Sequence, residues 1–108
     1  EKLFKLLTSN TPWKLFMVWF DLADMMGHLF MGRSKLKILK TYLELEILAA
    51  KIKRVMLSDT LIIIVSDHGM NNKGRHSERA FYSFNKDLGF RPLSITDFYD
   101  FIKETLQT

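Results

Sequence analysis

SKLKILKTYLELEILAAKIKRVMLSDTLIIIV, residues 34–65, decides the fold. Ser34 stands where a helix N-cap would, and helical spacing then runs to about Leu57. Lys37, Lys40, Thr41, Glu44 and Lys51 fall on one stripe, while Leu36, Leu39, Leu43, Ile47 and Ala50 lie opposite. Such a helix packs its apolar side on a sheet and leaves the other side wet. Ser58-Asp59-Thr60 turns the chain, and Leu61–Val65 is the strongest strand pattern in it. Upstream, Trp13–Phe20 (WKLFMVWF) is almost continuously apolar, the mark of a strand buried on both faces. Strand, long helix, strand reads as a right-handed crossover joining parallel strands. The expectation is an α/β fold, a partial three-layer α/β/α sandwich with parallel strands.

The flanks fit around this unit. Glu1–Leu7 reads as the end of a helix, Thr8–Pro12 as a loop, and Asp21–Gly32 as a polar-studded connection. Met70–Glu78 reads as a polar loop and Ala80–Phe84 as a short strand. A last helix is expected after Leu93-Ser94-Ile95-Thr96-Asp97-Phe98. Ser94 would cap it, Asp97 would sit at its third position, and Leu93 would staple to Phe98. Phe98, Phe101, Ile102 and Leu106 then make its apolar stripe.

Composition narrows the classes. A chain of 108 residues with 47% hydrophobic side chains is a single globular domain by length and composition, not a disordered or collagen-like one. Even the longest apolar runs, Leu15–Phe20 and Leu61–Val65, are far below the ~20 residues of a membrane span. No signal-peptide pattern is present. Cysteine is absent, so disulfides, thiolate zinc sites and cysteine nucleophiles are excluded, and a reducing, cytoplasmic setting is the expectation. Net charge is +4, and the basic excess lies in residues 1–54, with Arg33, Lys35, Lys37, Lys40, Lys51, Lys53 and Arg54 crowding one segment. Either a solvated helix face or a phosphate-binding surface accounts for it. The chain opens on Glu1 rather than methionine, as a piece of a longer protein would.

Chemistry collects after the two best strands. All three histidines sit in polar segments. In open parallel sheets, ligands bind beyond the carboxyl ends of strands. Asp21, Asp24, His28, Asp67, His68 and His76 are therefore expected to converge on one end of the sheet. Asp24 and His28, four residues apart, share a face if that segment carries a helical turn. Ser66-Asp67-His68-Gly69 places a carboxylate beside an imidazole, with Gly69 allowing a sharp turn. Each of these alone is equally read as a surface pair, a strand-ending turn or a solvated histidine. Together, Asp24, His28 and His76 make three ligands of the type zinc prefers, with an open position left over. Asp67 and His68 would supply two ligands to a second metal. Two metals roughly 4 Å apart can clamp the attacking and leaving oxygens of a phosphoryl transfer.

These residues resemble a known family. Val65-Ser66-Asp67-His68-Gly69-Met70 is similar to the SDHGM signature of the type I phosphodiesterase/nucleotide pyrophosphatase family, within the alkaline phosphatase superfamily. Asp24-Met25-Met26-Gly27-His28 followed by Gly32 resembles its D-x-x-G-H-x-x-x-G segment, and Gly74-Arg75-His76 its later G-x-H. The resemblance covers about residues 13–84. It implies that Asp24, His28 and His76 bind one metal and Asp67 and His68 another, most simply two zinc ions. Family members attack a phosphoester with a threonine or serine and pass through a covalent phospho-enzyme. Cofactor-independent phosphoglycerate mutases share the superfamily site but differ after SDHG, where this chain has Met70. Ala23 stands where the family often has proline.

The family's nucleophile and a further metal-binding aspartate lie upstream of the D-x-x-G-H segment, and no residue here matches them. Residues 1–108 thus resemble a single C-terminal portion of an alkaline phosphatase-like catalytic domain, a half-domain that supplies most metal ligands and lacks the nucleophile. The expected partners are a phosphoester substrate, the missing N-terminal half and a second copy of the chain. The alternative function is a noncatalytic basic interaction domain for an acidic partner or nucleic acid.

Overall fold

A computed structural model describes every residue from Glu1 to Thr108. The strongest local signals form as expected. A short helix α1 spans Lys2–Leu7, and a long helix α3 spans Lys35–Val55. Ser34 caps α3: its side-chain oxygen accepts from the Lys37 backbone N–H at 3.3 Å, satisfying one of the first-turn donors that helix geometry leaves free. Lys53 and Arg54 sit in its last turn, where cations offset the negative end of the helix dipole. Between these two lies α2, Leu22–Phe30, a helix where the sequence suggested only a connection. Asp21 is its N-cap residue, and Asp24 in the first turn complements its dipole.

The sheet does not form as expected, and the parallel α/β/α sandwich is overturned. β1 is Ile63–Val65 and β4 is Tyr82–Phe84; they pair antiparallel, Ile63 opposite Phe84 and Val65 opposite Tyr82. β2, Gly69–Met70, and β3, His76–Ser77, form a second antiparallel pair, a small hairpin inside the segment expected to be a loop. The fold is a small mixed one: helices with two short antiparallel strand pairs. Trp13–Phe20 is not a strand and pairs with nothing. A doubly buried strand needs a neighbour to satisfy its backbone and a layer over each face. Neither is present, so Trp19 is 84% and Met17 77% exposed. Without that strand there is no crossover through α3. The chain leaves β1, makes the β2–β3 hairpin and returns beside β1, which gives an antiparallel pair.

Asn85 extends that pair. Its Oδ1 accepts from Ile62 N–H at 2.8 Å and its Nδ2 donates to the Thr60 carbonyl at 2.9 Å. On the other side, α4 (Asp97–Gln107) closes an aromatic cluster. Phe90 stacks on Phe101 with centroids 4.2 Å apart, and meets Phe98 edge-on at 5.4 Å. Phe84 of β4 lies 6.3 Å from both Phe98 and Phe101. The expected cap is displaced: Thr96, not Ser94, is the N-cap residue of α4, and Asp97 is its first residue rather than its third, though the Asp97–Ser94 bond of a capping box still forms. Asp97 Oδ2 accepts from the backbone N–H groups of Leu93 and Ser94, while the Ser94 hydroxyl accepts from Thr96 N–H. The expected Leu93–Phe98 staple is absent, because Leu93 is 99% exposed.

α3 carries apolar residues on two opposite sides. Ile38, Leu45, Leu48 and Ile52 lie on the side that includes buried Thr41, and α2 packs against this helix. Leu36, Leu39, Leu43, Ile47 and Ala50, expected to face a sheet, are open. Thr41, expected on the wet stripe, is buried, and its hydroxyl donates to the Lys37 carbonyl. The radius of gyration, 15.6 Å, exceeds the about 13 Å of a compact chain of this length. No helix is long and apolar enough to cross a membrane.

The aromatic cluster sets a stability contrast. Phe98→Ala removes one of the few buried side chains and should cost about 3 kcal/mol in urea unfolding. Leu93→Ala should shift stability by no more than about 0.5 kcal/mol, because Leu93 touches mostly water.

Candidate metal centre

Four of the six residues expected to converge do so, though not at the end of a parallel sheet. Asp24 and His28 come from one face of α2, one helical turn apart. His68 comes from the segment between β1 and β2, and His76 from β3. Asp24 Oδ1 is the hub. It lies 3.1 Å from His76 Nε2, 3.4 Å from His28 Nε2 and 3.4 Å from His68 Nε2. The His28 and His76 Nε2 atoms are 3.0 Å apart, and the His68 and His76 rings stack with centroids at 3.6 Å. Donor atoms of Asp24, His68 and His76 all fall within 4.8 Å of one another, a spread that one metal ion can span.

Asp67 stands at the edge. Its side chain is exposed and its Oδ1 reaches only His68 Nε2, at 3.6 Å. Asp21 makes no hydrogen bond or ion pair with the cluster; it ends as the residue before the first turn of α2. The cluster itself is only partly buried, with the Asp24 side chain 41% and that of His68 24% exposed.

The outer atoms of the rings decide what the inner ones can do. His28 Nδ1 lies 2.7 Å from the Gly74 carbonyl oxygen, and His68 Nδ1 lies 2.9 Å from that of Gly69. A carbonyl oxygen can only accept, so in both rings Nδ1 carries the proton and donates. In the neutral ring, Nε2 then holds a lone pair. Two imidazole lone pairs thus face the Asp24 carboxylate oxygen with no proton of their own between them. That arrangement is met by an Nε2–H on His76, 3.0 Å from His28 Nε2 and 3.1 Å from Asp24 Oδ1, by a further proton on a ring or by a metal ion, and imidazole–carboxylate donors suit zinc and its neighbours. Backbone carbonyls orienting the far nitrogen of each ring are the outer support that metal-binding histidines generally have.

Of the residues that build this support, Gly32, Gly69 and Gly74 stand out in the sequence only as parts of motifs, and Asn71 does not stand out at all. The tip of the β2–β3 hairpin seats against the end of α2. Gly74 (φ +72°) is buried there, and a Cβ on it would stand 2.8 Å from the His28 carbonyl oxygen. Gly32 (φ +78°) lies against the same tip, where a Cβ would come within 1.9 Å of the Asn72 carbonyl oxygen. Asn71 organises the turn: its Oδ1 accepts from the N–H groups of Lys73 and Arg75. The run Asn71-Asn72-Lys73-Gly74 is a turn by composition, yet nothing in it points to His28, which is 46 residues away from Gly74.

A groove of about 340 Å³ opens beside Asp67, lined among others by Glu78, Phe81, Tyr82 and Phe98.

A family model, type I phosphodiesterase / nucleotide pyrophosphatase, matches residues 1–86 of the chain. No curated protein and no solved structure matches it. The family match covers well over half of the 108 residues, and the chain belongs to that family.

The interlocked glycines give a direct check on the geometry. Gly32→Ala forces a side chain into backbone at positive φ, and should destabilise the chain by more than about 1 kcal/mol in urea unfolding. Gly89→Ala, with nothing within 4 Å of its new Cβ, should be neutral or stabilising by up to about 1 kcal/mol.

Proposed function

We propose that this member of the type I phosphodiesterase/nucleotide pyrophosphatase family supplies most of the metal ligands for phosphoester hydrolysis by a larger catalytic domain. The observation that supports this best is the pair of imidazole Nε2 atoms, on His28 and His68, turned toward Asp24 Oδ1 while each Nδ1 faces a backbone carbonyl. In the proposal, Asp24, His28 and His76 hold one divalent metal, and Asp67 with His68 begins a second site. Zinc suits such a donor set, and other divalent ions share it. When bound, the metals polarise the phosphoryl oxygens and stabilise charge on the displaced group.

The chain's own residues provide the binding geometry. Asp24 offsets positive charge at the centre, and the Gly74 and Gly69 carbonyls hold two rings so that Nε2 faces inward. His68 stands between Asp24 and Asp67, at 3.4 and 3.6 Å, and so belongs to both halves of the site. The groove beside Asp67 is the natural place for the organic part of the phosphoester. No serine or threonine hydroxyl bonds to the cluster: Thr8 donates to the Phe4 carbonyl, and Ser66 Oγ is engaged with the backbone of Phe81. In the proposal the attacking group is supplied by the larger catalytic domain.

A second function has its own support in the open Leu36–Ala50 stripe of α3, with Lys40 and Lys51 at its border. An apolar face edged by cations suits an acidic partner, nucleic acid or a second copy of the chain.

Metal content, measured by mass spectrometry on tag-free protein, separates the two. Near-stoichiometric zinc is expected, lost in both His28→Ala and His76→Ala, together with negligible hydrolysis of bis(4-nitrophenyl) phosphate. Zinc-free wild-type protein that binds duplex DNA with a steep salt dependence would instead favour the interaction function.

A further inference from the structure

We infer that Asn71 is a positioning residue for His28: through the hairpin tip it aims the carbonyl that fixes the His28 ring for metal binding. This rests on the metal function proposed for the same cluster. Asn71 touches no member of the cluster. Its N–H donates to the Arg75 carbonyl, its own carbonyl accepts from Gly74 N–H, and its Oδ1 accepts from both Lys73 and Arg75 N–H. The last of these bonds matters most. The Arg75 N–H and the Gly74 C=O belong to one peptide unit, which is planar and trans, so the two groups point in opposite directions. Holding the N–H inward on Asn71 at 3.1 Å turns the C=O outward, onto His28 Nδ1 at 2.7 Å.

The Gly74 N–H bond to the Asn71 carbonyl and the Asn71 N–H bond to the Arg75 carbonyl hold the flanking peptides, and the bond from Arg75 N–H to Asn71 Oδ1 is the one made by the Gly74–Arg75 peptide itself. Gly74 lies against the His28 and Gly27 carbonyls, with no room for a side chain. Steric seating brings the tip to α2; the hydrogen bond to Arg75 decides which way the peptide faces. Without it, the Gly74–Arg75 peptide can rotate, and His28 loses the acceptor that keeps its proton on Nδ1. The ring then populates the other tautomer, with a proton on the atom that must bind metal. The Asn71 amide nitrogen forms no hydrogen bond, so an aspartate in its place keeps every contact that the role requires.

The test uses zinc titration calorimetry on the whole chain, together with ¹⁵N shifts of labelled histidines in the metal-free protein. Circular dichroism checks the fold of every variant. Asn71→Ala should weaken zinc binding by about tenfold, and the His28 ¹⁵N pattern should move from the Nδ1–H tautomer to a mixture. Asn71→Asp should stay within about twofold of wild type and keep the Nδ1–H pattern. Should Asn71→Ala lose the fold, Asn71→Ser stands in, since its shorter hydroxyl cannot hold both N–H groups, and the same loss is expected. Wild-type affinity and an unchanged His28 pattern in Asn71→Ala would overturn the inference. If wild-type protein binds no zinc, the metal function falls by itself. The His28 tautomer in metal-free Asn71→Ala then decides the inference, and a retained Nδ1–H pattern sinks it.

Discussion

The seating of one hairpin tip on one helix end is the constraint on which the site depends. Gly27 and His28 of α2 meet Met70 and Gly74 of the β2–β3 hairpin, and Gly27 and Gly74 are among the few buried residues of the chain. A glycine on each side lets two backbones approach closely, and Gly74 also takes up a positive φ that a side chain resists. That approach brings the Gly74 carbonyl to His28 Nδ1 and puts His76, two residues further on, beside Asp24. Remove the contact, and α2 and the hairpin each keep their residues but share no site.

The remainder of the molecule is loosely held by comparison. β1, β4 and α4 share a small aromatic cluster around Phe84, Phe90, Phe98 and Phe101. α3 packs against α2 on one side, while its other apolar side, from Leu36 to Ala50, remains open, as does most of Trp13–Phe20. A helix with two apolar sides belongs between two layers. Only one of them is present here. The same shortage explains why a segment as apolar as WKLFMVWF is not a strand: a strand is made by its neighbours, and its residues alone cannot supply them.

Local physics was legible wherever a residue acts on its near neighbours. Ser34 could be read as the cap of α3, Leu61–Val65 as containing a strand, and Asp97 as accepting from Ser94, because each depends on contacts within a few positions. The metal candidates could be read from residue type and order, and Asp24, His28, His68 and His76 do meet. Asp67, from the same motif, does not reach their centre, and Asp21 stays apart. Asn71 passed unremarked, and Gly74 stood out only as part of a motif, because their role is played on a histidine more than forty positions away.

The amino-acid sequence by itself determined the helices with caps and periodicity, the chemistry of the candidate ligands and the family to which the chain belongs. These rest on residue identity and short spacing, which a linear string records in full. Only the tertiary structure decided that the strands pair antiparallel, that α2 is a helix carrying two of the candidate ligands, and that the rings of His28 and His68 turn Nε2 toward Asp24. Strand direction depends on which segment finds a partner, and ring orientation on which distant carbonyl arrives at Nδ1. Both are contacts between residues far apart in the chain, and they exist only once the backbone has brought them together.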